Sequence, residues 1–130
     1  MNKSRLTKRN KRKKKSNTSV GLAREDQATA YLKQKKYKIL KRNFRLKHKE
    51  IDIIALDTVK DEIVFVEVKF RSKPQFGHPS QAVNLNKLKN IQQAALAYLD
   101  RQQIDKDFRF DIISILPDKI EHLPNISWQF

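Results

Sequence analysis

The sequence predicts a single α/β domain with a mixed central sheet flanked by helices. Three observations predict it. A stretch of helix formers precedes three short runs rich in alternating apolar residues. A second helical pattern separates the third run from a fourth, which permits a parallel crossover. The 130 residues suffice for one core of useful size, and no segment approaches the ~18 consecutive apolar residues of a membrane span.

The first helix is expected over residues 21–32, where Ala, Leu, Glu and Gln dominate and Glu25 and Asp26 lie near the start, the end that the helix dipole favours for acids. Ala28 and Leu32 share a face, and Glu25, three residues before Ala28, lies on it too. A carboxylate on a stripe bound for the core is unusual. Strands are expected over 37–45, 50–56 and 62–70, joined by two short links that fit hairpins but lack an Asn-Gly or Asp-Gly pair. An irregular stretch, 71–81, holds Pro74, Gly77 and Pro79. A second helix over 82–101 has Leu88, Ile91, Ala95 and Leu99 as its apolar stripe, with Tyr98 beside them. The last strand, 108–116, is closed by Pro117. The tail, 118–130, reads as irregular, with Leu123, Ile126 and Trp128 docking on the core.

Charge is the strongest compositional signal. The chain carries 29 Lys and Arg against 14 Asp and Glu, a net +15. Nine of the basic residues fall within the first fifteen positions, Lys11, Arg12 and Lys13 among them, with no acid to balance them, so +6 remains for the rest. Residues 1–19 contain one Leu and no aromatic side chain and read as a disordered basic arm that follows phosphates. Residues 20–130 form the folded domain. A polyanion is the expected partner, nucleic acid before membrane. The absence of cysteine excludes disulfides and Cys-based zinc sites and suits a reducing cytoplasm. The basic N-terminus is not followed by an apolar segment, so a secretory signal is not expected.

The chemistry concentrates on two strands. In the third, side chains alternate: Val64, Val66, Val68 and Phe70 make one face wholly apolar, while Ile63, Phe65, Glu67 and Lys69 make the other. A strand this apolar belongs at the centre of a sheet, where a charge is costly unless paired or bound to metal. In the second strand, Ile51 and Ile53 are expected to face one way and Glu50 and Asp52 the other. A hairpin sets the start of that strand beside the end of the third. Glu50, Asp52, Glu67 and Lys69 then converge at one edge of the sheet, with Glu25 as a fourth carboxylate within reach. Two or three carboxylates suit a hard cation, Mg²⁺ or Mn²⁺, and a lysine beside it can neutralise charge developing on a phosphate. Arg71, two residues past Lys69 on the same face, and Lys49 are candidate phosphate contacts. Lys87 borders the apolar stripe of the second helix, from which it can reach solvent or a phosphate. His48, His78 and His122 lack metal-ligand spacing and read as surface or turn residues, and Asp111, beside Arg109, reads as structural.

Glu25, Asp52 and the run Phe65-Val66-Glu67-Val68-Lys69-Phe70-Arg71, in that order, resemble the PD-(D/E)xK nuclease superfamily. With Asn43-Phe44-Arg45, Glu50-Ile51-Asp52, Phe76-Gly77, Lys87, Arg109-Phe110-Asp111 and His122-Leu123-Pro124-Asn125, the chain from Val20 onward is similar to the uncharacterised bacterial YraN family. The resemblance implies a restriction-endonuclease-like core of helix, three strands, helix, strand. It implies metal ligation by Asp52 and Glu67 with the Val68 carbonyl, Lys69 as catalytic lysine, and Glu25 as an outer ligand. Holliday-junction resolvases belong to the same superfamily and act as dimers, so branched DNA and a homodimer are expectations by analogy. A non-catalytic nucleic-acid-binding module on the same fold is the alternative. The chain departs from the family pattern at Arg24, Lys36 and Lys49, where glycine is usual.

Overall fold

The computed structural model describes residues 16–72 and 85–126, with side chains from 23 and from 86 onward in the two segments. The elements are α1 (Ser16–Gln34), β1 (Tyr37–Leu46), β2 (Lys49–Asp57), β3 (Glu62–Phe70), α2 (Leu85–Arg101), β4 (Phe108–Ile115) and β5 (Ile120–Leu123). Helix α1 begins at Ser16, inside the stretch read as arm. Lys11, Arg12, Lys13, Pro74, Phe76, Gly77, His78, Pro79 and Trp128 lie outside the described residues.

The five strands form one sheet in chain order, β1-β2-β3-β4-β5. The β1–β2, β2–β3 and β4–β5 pairs are antiparallel and β3–β4 is parallel, so the sheet is mixed, as expected. Strand β3 is central, and its alternation sorts the two faces. Val64 and Val66 pack with Ala28 and Leu32 of α1. Ile63 and Phe65 pack with Leu88, Ile91, Ala95 and Tyr98 of α2. The helices therefore cover opposite faces, in three layers. Phe70 departs from the expected apolar face: at the strand's end it is 46% exposed, with the Arg24 guanidinium 3.5 Å from its ring centroid.

Alternation fails at one level, and the failure builds the site. Arg42 pairs with Ile53 and Phe44 with Ile51. Ile53 lies in the α1 layer, whereas Ile51 and Phe44 lie in the α2 layer. Ile51 and Ile53 thus do not share a face, contrary to simple period-two reading. Between them stands Asp52, and between Arg42 and Phe44 stands Asn43, whose φ of 53° is left-handed, a region asparagine tolerates better than most residues. The β2–β3 ladder also ends here, at Ile53↔Val66. Asp52 is released from the regular sheet.

The α1–β1 turn depends on Lys36 at φ 69°. Its N–H donates to the Lys33 carbonyl at 3.0 Å and its own carbonyl accepts from Thr58 Oγ1 at 2.5 Å. This is the left-handed residue that closes a helix, where glycine avoids a cost of about 1 kcal/mol.

The tail is not wholly irregular. After Pro117, the Leu116 N–H donates to the Lys119 carbonyl, and β5 returns along β4 with His122 opposite Ile113. Four residues are too short to show a period, but Pro117-Asp118 is a turn signal. Ile126 is buried and Leu123 packs against the α2-side core, as expected.

The buried polar groups on the α1 side form one network. The Arg109 guanidinium donates to Asp111 Oδ1 (3.1 Å), Asp57 Oδ2 (3.0 Å), Glu62 Oε1 (2.7 Å) and the Tyr37 hydroxyl (2.6 Å). Asp111 also accepts from the Asn125 N–H at 2.9 Å and lies 2.7 Å from His122 Nε2. Tyr31 reaches the other ring nitrogen at 3.2 Å. Asp111 is structural, as read. His122 is a correction: it is an internal member of this network, because β5 carries it onto the face of Ile113.

Candidate active site

At the end of the sheet remote from Arg109, a cavity of about 390 Å³ opens between the β1–β2 hairpin and α2. Glu50, Asp52, Glu67 and Val68 line one side, and Lys87, Asn90 and Ile91 the other. The Asp52 carboxylate accepts the Val68 N–H at 2.8 Å, a donor left over where the β2–β3 ladder stops. Glu67 is 9% exposed. Lys69 Nζ lies 3.9 Å from Glu67 Oε2, and Lys87 reaches the same oxygen in closer contact.

The electrostatics follow from burial and crowding. Burial pushes the Asp52 carboxyl up to about 8, helped by the charge of Glu67 and, more weakly, Glu25; the Val68 N–H opposes the rise. Burial also holds the Lys69 ammonium below the usual lysine range, with Lys87 and Arg71 adding to the effect and Glu67 opposing it. For Lys87 burial works in the same direction, but Glu67 and then Asp52 outweigh it and raise its value.

Not every residue singled out in the sequence joins this cluster. Glu25 pairs with Arg42 at 3.6 Å, close enough to act on Asp52 but engaged on the α1 side. Glu50 lines the cavity while pairing with Arg45 at 3.6 Å. Lys49 stands on the rim and contacts Gln93. Arg71 is partly buried, and its Nε and Nη2 have no hydrogen-bond partner among the described residues. Among the described residues no group of three or more Asp, Glu or His side chains is arranged to hold a metal ion by itself. Asn90 and Arg42 were not anticipated. Asn90 lies three residues after Lys87, which puts it on the same helix face, so that signal was available. The role of Arg42 depends on the face switch at Asn43, which leaves no mark in the pattern.

A three-layer α/β domain with paired carboxylates and lysines at one sheet edge belongs to the restriction-endonuclease-like class of folds. Comparison with known proteins supplies the family. The model of the uncharacterised protein family UPF0102 matches residues 24–115, and the chain belongs to that family, which is the YraN family that its motifs resemble. A UPF0102 protein of Geobacter metallireducens is 47% identical over 115 residues, 84% of this chain and 92% of the relative. One from Syntrophomonas wolfei is 40% identical over 114 residues, 84% and 97% of the two chains. One from Bacteroides thetaiotaomicron is 43% identical over 108 residues, 80% and 88%. No helix among the described residues is long and apolar enough to cross a membrane.

Proposed function

We propose that this chain is a Mg²⁺- or Mn²⁺-dependent endonuclease that hydrolyses phosphodiester bonds in DNA. The observation that carries the reading is the pair Asp52 and Glu67, brought together in the cavity beside the Val68 N–H, where burial and then the neighbouring Glu67 charge push the Asp52 carboxyl up to about 8. With both carboxylates ionised, such a pair is costly to bury unless cations balance it. Its hard oxygens fit a divalent ion. In an extended strand the N–H and C=O of one residue point to the same side. The Val68 carbonyl therefore shares the β2 side with its N–H, beyond the Ile53–Val66 pair where the β2–β3 ladder ends. Asp52, Glu67 and this carbonyl would hold the ion, with Glu25 as an outer contact. The bound ion supplies an activated water and charge stabilisation at the phosphate. Lys69 opposes charge developing on the phosphate. Arg71, Lys49 and the basic arm hold the nucleic-acid backbone. Branched DNA and a homodimer complete the proposal by analogy with resolvases, and a cytoplasmic setting fits a cysteine-free chain.

The test is cleavage of single-stranded, duplex, flap and four-way-junction DNA and a structured RNA, with Mn²⁺, Mg²⁺ or EDTA, by wild type and Asp52→Asn. Metal-dependent cutting of DNA by the wild type alone is expected. Equal activity of the two proteins would sink the assignment.

The pH dependence has a definite sign. With Asp52 raised from 3.8 to about 8, its contribution to apo stability is fully present below its unfolded value and is lost as pH rises through about 8. A metal must displace that proton. The rise in Tm produced by Mn²⁺ is therefore expected to be larger at pH 8.5 than at pH 6. A Tm shift independent of pH would remove Asp52 from the ligands.

Two observations favour a second reading, a nucleic-acid-binding module that does not cut. Lysines already neutralise Glu67, and among the described residues no ready-made three-ligand metal group exists. Binding without cleavage in the same assay would establish it.

A further inference from the structure

Lys69 and Lys87 are not equivalent neighbours of Glu67. Lys69 lies on the same strand, two residues on, and stands 3.9 Å from the carboxylate. Lys87 comes from α2, across the cavity, and contacts Glu67 Oε2 directly. It also feels the Asp52 carboxylate, so its ammonium lies within the field of both acids. Its side chain remains 43% exposed, on a long flexible stem anchored near the start of α2, and the cavity beside it is open. It belongs to neither buried core cluster.

Resting on the metal-dependent reading above, we propose that Lys87 is the site's built-in counter-cation: its ammonium takes the place beside Glu67 and Asp52 that a divalent ion needs. Metal loading then requires Lys87 to swing out. A polyanion entering the cavity offers the displaced ammonium a phosphate oxygen, so substrate and metal bind with positive coupling, each easing the entry of the other. The bare protein resists metal, and the protein with a phosphodiester in the cavity accepts it. Lys69, held by its strand beside Glu67, stays in place throughout.

The experiment is calorimetric titration of the full chain with Mn²⁺ alone, in wild type, Lys87→Gln, Lys87→Arg and Lys89→Gln. Lys89 is an exposed lysine two residues along the same helix, so its variant measures the effect of removing one nearby positive charge. Lys87→Gln is expected to bind Mn²⁺ roughly tenfold more tightly than wild type, the scale of a partly buried ion pair. Lys87→Arg and Lys89→Gln are expected within about twofold of wild type. Binding by Lys87→Gln that is equal to or weaker than wild type overturns the proposal, as does equal tightening in Lys89→Gln. The metal-dependent reading is judged separately, by whether Lys87→Gln binds Mn²⁺ and loses that binding when Asp52→Asn is added. If Lys87→Gln binds and wild type does not, the proposal is supported in its strongest form. If no protein binds Mn²⁺, both fall. Because Lys87→Arg keeps the charge, a folding defect in the Gln variant is separable by comparing their thermal melts.

Discussion

Lys69→Ala is expected to lower single-turnover cleavage by about 10²–10³-fold, the scale of removing one group that stabilises transition-state charge, while Mn²⁺ binding persists. Strand alternation places Lys69 on the face of Glu67, and its ammonium stands 3.9 Å from that carboxylate. Burial, Lys87 and Arg71 weaken its hold on a proton, so a negatively charged phosphate gains more from it than a surface lysine would offer. In the substrate-free site Lys69 repels a cation, and its removal leaves the oxygen ligands Asp52 and Glu67 untouched. Loss of cleavage together with loss of metal binding would mean that the substitution disturbed β3 rather than the chemistry. Unchanged cleavage would move the catalytic role to Lys87, the other cation on Glu67. The substrate is whichever member of the nucleic-acid panel the wild type cuts.

Arg109→Ala is expected to cost about 3–5 kcal/mol in urea denaturation, the range for breaking a buried ion pair by removing one partner. Arg109 is 5% exposed, Asp57 5% and Asp111 1%. Alanine would leave two carboxylates in the interior with only part of their hydrogen bonding. Asp57 would keep the Val59 and Lys60 N–H groups, and Asp111 would keep Asn125 and His122. Arg109→Met with Asp111→Asn should recover part of the loss, because the largest uncompensated charge goes with its partner. A cost below about 1 kcal/mol would place the network in water-like surroundings. Burial alone would raise the Asp57 carboxyl, but the Lys60 N–H and Arg109 hold it below its ordinary value. Its stabilisation is therefore present above pH 3.8 and lost as pH falls through the lower folded value. Asp57 and Glu62 lie at the opposite end of β3 from Glu67, and Asp111 stands beside Val66 on the other face of the sheet, so a loss of stability that leaves metal affinity intact would separate scaffold from site.

Much of this arrangement was legible in the chain. The three strands and α2 fall within a few residues of their expected positions, because an apolar period of two or 3.6 is a local property. The alternation in β3 places Glu67 and Lys69 together on the α2 side, and the helical spacing of Glu25 and Ala28 directs Glu25 toward the sheet. What misled was also local. Period two set Ile51 and Ile53 on one face, whereas Asn43 at φ 53° and the end of the β2–β3 ladder turn the strand between them. His122 read as a surface residue because β5 is only four residues long, too short to announce itself.

By itself the sequence determined the element types, the central position of β3 and the residue types available for chemistry, since each rests on composition or on near-neighbour periodicity; the family showed as a resemblance of ordered motifs. Only the tertiary structure decided which carboxylates crowd together. Asp52 and Glu67 meet because β2 leaves the ladder at Ile53. Glu25 and Glu50 are drawn aside by Arg42 and Arg45, and Lys87 comes to Glu67 from across the cavity. The physical reason is that charge pairing and burial depend on distances between segments remote in the chain, which the sheet's register and the packing of α2 set, and no local pattern carries them.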